Sequence, residues 1–195
     1  MKIVDQIKDL DWGAKLFSLE LPAGFGKLAI FSYNENWRNK TLVGELNSSG
    51  MRFAVVVSRF NAFITERLLA GALQALRQTG AKNENIDIAY VPGAFEIPSM
   101  SRTLAETRKY SAIVCIGCVL RGETAHYDVI VNEVTRGIGQ SAQETGVTHA
   151  LSVLTCDTLE QAIDRAGLKA GNKGFEAGLA AVEMASLKKK VASGQ

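Results

Sequence analysis

The chain has 195 residues, 47% of them hydrophobic and 22% charged, a balance that excludes a disordered chain, a collagen-like fibre and a coiled coil. Its 22 basic and 20 acidic side chains nearly cancel, which argues against nucleic-acid or membrane-surface binding and leaves any anionic ligand to a few placed cations. No apolar run approaches the ~18 residues of a membrane span, and three cysteines with no disulfide framework point to a reducing compartment, the cytoplasm.

Residues 1–40 hold both tryptophans and 6 of the 14 aromatics, and their periodicity is poor. With Asp5 and Asp9 near the start and Arg38 as the lone arginine, they fit neither a secretory signal nor a transit peptide. They are expected to be an appendage of unknown role to a domain spanning 41–195.

From Thr41 the pattern becomes regular. Thr41–Leu46 predicts a short strand, ended by Asn47-Ser48-Ser49-Gly50. Phe53–Ser58 is a continuous β-branched run, the mark of a strand covered on both faces. Ile64, Leu68, Ala72, Leu73 and Leu76 then recur at helical spacing, with Gly80 as the stop. Ile86–Val91 predicts a second strand of this series, Pro98–Arg108 a helix, Ala112–Leu120 a third strand and Ala125–Thr145 a long helix ended by Gly146. Ala150–Leu154 predicts the fourth strand. Leu159–Ala166 and Phe175–Lys188 predict the last helices, split by Gly171-Asn172-Lys173-Gly174. Strand and helix alternate four times, so the expected fold is α/β: a flavodoxin-like, three-layer αβα sandwich around a mainly parallel four-stranded sheet.

In such sheets ligands collect at the carboxyl ends of the strands, beside a topological switch point. Arg59-Phe60-Asn61 follows the first strand. Phe60 reads either as a staple on the helix or as a face for a planar ring, and Asn61 as an N-cap or a ligand contact. Pro92 to Pro98 follows the second strand and stiffens a loop. Its Glu96 could accept hydrogen bonds from ligand hydroxyls or simply favour a helix dipole. Arg121-Gly122-Glu123-Thr124 follows the third strand and opens a helix, a combination suited to an anion. His126 stands one turn on, the natural general acid or base if it is not structural; His149 reads as structural. Arg165, Lys169 and Lys173 are either cations at a helix end or phosphate and carbonyl binders. Cys115 and Cys118 fall on opposite faces of one strand, roughly 10 Å apart, too far for a disulfide. No metal site is expected.

Four strings together carry a resemblance. Ser58-Arg59-Phe60-Asn61, Pro92 to Pro98, Arg121-Gly122-x-Thr124-x-His126 and Arg165-Ala166-Gly167-x-Lys169-x-Gly171-Asn172-Lys173-Gly174 are similar, in order and spacing, to the motifs of the 6,7-dimethyl-8-ribityllumazine synthase family. The match runs from about Leu42 to Leu187 and leaves out residues 1–40. It implies the penultimate step of riboflavin synthesis, from a ribitylaminouracil and a four-carbon sugar phosphate, with no organic cofactor or metal.

The resemblance implies roles residue by residue. Phe60 would stack on the pyrimidine. Ala94, Phe95 and Glu96 would hold the ribityl chain and ring edge, and Cys118, Val119 and Leu120 would line the ring through backbone groups. Glu123 and Thr124, with Arg165, would bind the phosphate; His126 would shuttle protons; Lys173 would reach the uracil side. Glu123 stands where many members have a small residue, so its carboxylate must point away from the phosphate. Leu151 stands where Phe is frequent, which keeps apolar contact and loses ring stacking. The family's pentamers, some closed into sixty-subunit shells, imply sites between subunits. Phe60, Glu96 and His126 would come from one chain and Leu151, Arg165 and Lys173 from the next, with Thr41–Leu46 paired to a neighbour's sheet. A non-catalytic shell protein and an unrelated mononucleotide binder are the competing readings. The first leaves His126, Arg165 and Phe60 unexplained, the second the Gly-Asn-Lys-Gly string.

Overall fold

The computed structural model describes residues 41–169 and 171–194, and within the first forty the backbone of three strands, β1 (Ile3–Asp9), β2 (Ala14–Glu20) and β3 (Lys27–Tyr33). The chain divides into two units at Thr41/Leu42. In the first unit β1, β2 and β3 form an antiparallel sheet in that order. The β2–β3 pairing runs without interruption from Ala14↔Tyr33 to Glu20↔Lys27, whereas β1–β2 carries register shifts.

The second unit builds a four-stranded, all-parallel sheet in the order β5-β4-β6-β7. Its strands are β4 (Phe53–Ser58), β5 (Ile86–Val91), β6 (Ala112–Leu120) and β7 (Thr148–Cys156). The helices are α1 (Ala62–Gln78), α2 (Ile97–Glu106), α3 (His126–Thr145), α4 (Leu159–Arg165) and α5 (Lys173–Ser193). The expected α/β sandwich is the fold.

Side chains of a strand alternate between faces, and β4 shows why an unbroken apolar run is needed at the centre. Phe53, Val55 and Val57 pack with Leu68, Ala72 and Leu76 of α1 and Ala177 and Ala181 of α5. Ala54 and Val56 pack with Ile97 of α2 and Val134 and Ile138 of α3 on the other face. Cys115 and Cys118 divide between these same two clusters, and all three cysteines are free and buried.

Helices α1 and α5 approach unusually closely. A Cβ at Gly174 would lie 1.9 Å from the Leu68 carbonyl oxygen, so only glycine permits this contact. The stops are glycines with positive φ, 108° at Gly80 and 71° at Gly146, conformations that cost other residues.

One expectation needs correction. Thr41–Leu46 is not a strand. Its backbone is held by side chains of α5 instead: Ser186 Oγ accepts from the Glu45 amide at 3.1 Å, and Lys190 Nζ donates to the Val43 carbonyl at 3.1 Å and pairs with Glu45 at 2.6 Å. A strand needs a neighbour to hydrogen-bond, and among the described residues of one chain no strand pairs with this segment; its expected partner is a neighbouring copy.

Candidate active site

From β4 the chain places β5 on one side and β6 on the other, so the switch point lies between the carboxyl ends of β4 and β6. A cleft of about 400 Å³ opens there, bounded by the residues that follow β4, β5 and β6. Of the expected site residues, Phe60, Ala94, Phe95, Cys118, Val119, Leu120, Thr124 and His126 line it.

Asn61 joins two of these strand ends. It occupies the N-cap position of α1 in a left-handed conformation, φ 59°, where its carbonyl accepts from the amides of Ile64 and Thr65. Its side chain makes no cap. The amide nitrogen Nδ2 donates instead to the Cys118 carbonyl at 2.9 Å, tying the start of α1 to the end of β6. Phe60 is 69% exposed, too open for a staple onto the helix. Its ring is left available to a ligand.

After β5, Glu96 turns inward on its own loop. Its Oε2 accepts from the Gly93 amide at 2.9 Å, tying the end of the short 3-10 turn Ala94–Glu96 back to its start. Glu96 is half-buried and stays outside the cleft wall. One carboxylate oxygen still has no bond among the described residues.

The loop after β6 enters α3 at His126. Ala125 at the N-cap has no side chain to spend on the helix amides; the Asp128 amide donates to the Ala125 carbonyl, and the amides of His126 and Tyr127 remain available to an anion. Gly122 and Thr124 border the cleft, while Glu123 is exposed and outside its wall. His126 is exposed on the cleft side with no hydrogen bond to its ring among the described residues. Cys118 supplies no nucleophile: burial, then the neighbouring Cys156, pushes its thiol up to about 12, and a protonated thiol is a poor attacking group.

The remaining expected residues gather elsewhere. Leu151, Arg165 and Lys173 line a second cleft, about 580 Å³, along the edge strand β7. It shares no wall residue with the first. Arg165 closes α4 and makes no ion pair among the described residues, whereas Lys173 pairs with Glu176 at 2.5 Å. Asn172 sets their spacing. Its Oδ1 accepts from the Phe175 amide at 3.1 Å and caps α5. Its Nδ2 donates to the carbonyls of Ala166 at 3.0 Å and Arg67 at 2.9 Å. The Gly-Asn-Lys-Gly string is thus a splice of α1, α4 and α5 that presents Lys173 beside Arg165.

His149 is structural, as its place before the fourth strand suggests. A ring nitrogen facing a carbonyl must donate, so Nδ1–H binds the Val147 oxygen at 2.9 Å. Nε2 then accepts from Ser141 Oγ at 3.0 Å. Burial lowers its pKa. Among the described residues no three His, Cys, Asp or Glu side chains are grouped to hold a metal ion, and no helix is long and apolar enough to cross a membrane.

Two residues of this architecture carry roles that no local pattern announces, and a third is settled only by its contact. Asn61 was legible only as a choice between cap and contact. Asn172, in the Gly-Asn-Lys-Gly turn, has its role only through its distant carbonyl partners. Tyr127 lines the first cleft, and its position directly after His126 was the available signal.

The model of the 6,7-dimethyl-8-ribityllumazine synthase family matches residues 50–189, a span that contains both clefts. Two curated relatives from strains of Clostridium kluyveri, each named 6,7-dimethyl-8-ribityllumazine synthase, are 50% identical over 148 residues. That covers 76% of this chain and 96% of each relative.

Proposed function

The chain belongs to the 6,7-dimethyl-8-ribityllumazine synthase family, a family of transferases, and from that premise we propose that its two clefts are halves of one active site completed by a second copy. The substrates are 5-amino-6-(D-ribitylamino)uracil and 3,4-dihydroxy-2-butanone 4-phosphate. The products are the lumazine, inorganic phosphate and water, in the penultimate step of riboflavin synthesis.

The 5-amino nitrogen attacks the ketone carbon and water leaves as the imine forms. Loss of the proton on the adjacent hydroxyl-bearing carbon then expels phosphate with its C–O bonding pair, the resulting enol tautomerises to a ketone, the ribitylamino nitrogen closes the ring on that new carbonyl, and a second water departs. In the first cleft Phe60 stacks on the pyrimidine, and the backbone of Cys118 to Leu120 reads its edge. Ala94 and Phe95 flank the ribityl chain, and the free oxygen of Glu96 meets its hydroxyls. Thr124 and the amides around Glu123 bind phosphate at the start of α3, with the Glu123 carboxylate directed to solvent. His126 moves protons between the reacting nitrogen and oxygen atoms. From the neighbouring copy Arg165 completes the phosphate site, Lys173 reaches the uracil carbonyl side and Leu151 supplies an apolar wall. Orientation of two bound reactants supplies much of the acceleration.

The observation that carries this reading is the division itself. Apart from Glu96 and Glu123, which lie outside both walls, the family's recognition residues fall into two clefts with no shared wall, each open and each lacking what the other holds. Phe60, Phe95 and Leu151 are 69%, 55% and 52% exposed, apolar surface of the kind that partners cover. The protein therefore acts as a homo-oligomer; by family analogy a pentamer, with a sixty-subunit shell as the larger form, working in the cytoplasm.

The test is direct. Purified protein is mixed with the two substrates and lumazine absorbance is followed. A rate well above the uncatalysed condensation is expected, and no excess over it overturns the reading.

A further inference from the structure

The phosphate cradle after β6, on whose proposed role this inference rests, leaves one conspicuous cation unexplained. Arg121 stands at the root of that loop, yet its guanidinium is already engaged. Its Nη2 and Nη1 meet Asp128 Oδ1 and Oδ2 at 3.2 and 3.3 Å, and its Nε meets Asp157 Oδ1 at 2.9 Å. Its plane covers the Tyr127 ring at 4.0 Å. Asp128 lies in the first turn of α3 and Asp157 directly follows β7. Neither carboxylate has another side-chain partner among the described residues.

A carboxylate in the first helical turn suits the helix dipole but repels an anion arriving at the same helix end. We propose that Arg121 is a positioning residue for the phosphate-bearing substrate: it neutralises Asp128 and Asp157 beside the loop, and does not itself hold the phosphate. The three side chains together carry a charge of −1. Without Arg121 they carry −2, and with all three neutralised they carry none.

Steady-state kinetics on the intact oligomer test this with wild type, Arg121→Gln and the triple variant Arg121→Gln/Asp128→Asn/Asp157→Asn. The readouts are KM for the four-carbon phosphate substrate and inhibition by inorganic phosphate. Arg121→Gln raises KM and the phosphate inhibition constant roughly tenfold, with kcat within about twofold. The triple variant, one negative charge fewer than wild type, lowers both constants to the wild-type values or below them. The pair Asp128→Asn/Asp157→Asn, which keeps Arg121, tightens inhibition by inorganic phosphate and serves if Arg121→Gln does not fold. Unchanged constants in Arg121→Gln, a triple variant as impaired as the single one, or weaker phosphate inhibition in the Asn pair each overturn the proposal. Wild type that makes no lumazine removes instead the proposed function, so the two failures are told apart.

Discussion

His126 and Arg165 lie in different clefts of the same chain, and the chemistry asks different things of them. An imidazole that moves protons acts on the barrier, whereas a guanidinium that meets a phosphate acts mostly on binding. His126→Ala is therefore expected to lower kcat about 100-fold while KM for both substrates stays within about twofold, measured by steady-state kinetics. Arg165→Ala is expected to raise KM for the phosphate substrate roughly tenfold and to leave KM for the uracil substrate nearly unchanged. That Phe60, Ala94, Phe95, Thr124 and His126 would gather at one edge of the sheet was legible, because the carboxyl ends of parallel strands are a positional rule; Arg165 and Lys173, at helix ends, joined the site only through the resemblance. How they are held was not legible. The Asn61 amide finds its acceptor on Cys118, 57 positions away, and no local pattern announces that pairing. Glu96 was legible as a carboxylate at a turn, but its engagement with the Gly93 amide depends on loop geometry.

Elements were legible where burial on both faces forces the composition. The run Phe53–Ser58 is β4 from end to end. Strand β7 extends beyond the expected Ala150–Leu154 to Thr148–Cys156, because polar Thr148, His149 and Thr155 interrupt its apolar pattern at an edge. The three strands of residues 1–40 were not legible, since adjacent apolar residues such as Leu16-Phe17 and Ala29-Ile30-Phe31 break the alternation that marks a strand. Two predictions belong at this scale. Gly174→Ala forces α1 and α5 apart and is expected to cost about 1–3 kcal/mol, seen as a lower denaturation midpoint with an unchanged m-value. His149 joins the start of β7 to Ser141 of α3, and its folded pKa lies below the unfolded value of about 6.5. Below that value the unfolded state binds the proton more tightly. The contribution is therefore full above pH about 6.5 and is lost as pH falls through the depressed folded pKa. Stability should decline on acidification from about pH 6.5, and His149→Gln should flatten that part of the profile; a wild-type profile no steeper than that of His149→Gln there contradicts the assignment.

At the scale of the whole molecule the sheet order decides everything about the site. β6, next to the switch point, delivers His126, while β7 at the edge delivers Leu151 and, through α4 and α5, Arg165 and Lys173. A single copy thus presents two open, unlike faces. Under the proposed assembly such faces would join head to tail, and a rotation between copies that closes would make a ring. The clearest measurement co-assembles His126→Ala chains with Arg165→Ala chains. Each variant alone carries a defect in every site. In a mixed ring, a site formed by the first cleft of an Arg165→Ala chain and the second cleft of a His126→Ala chain is native. At equal proportions such sites make up roughly one quarter of the total. The mixture should recover about that share of wild-type turnover at a subsaturating concentration of the phosphate substrate, whereas activity no greater than the average of the two variants assayed separately would contradict a site shared between copies.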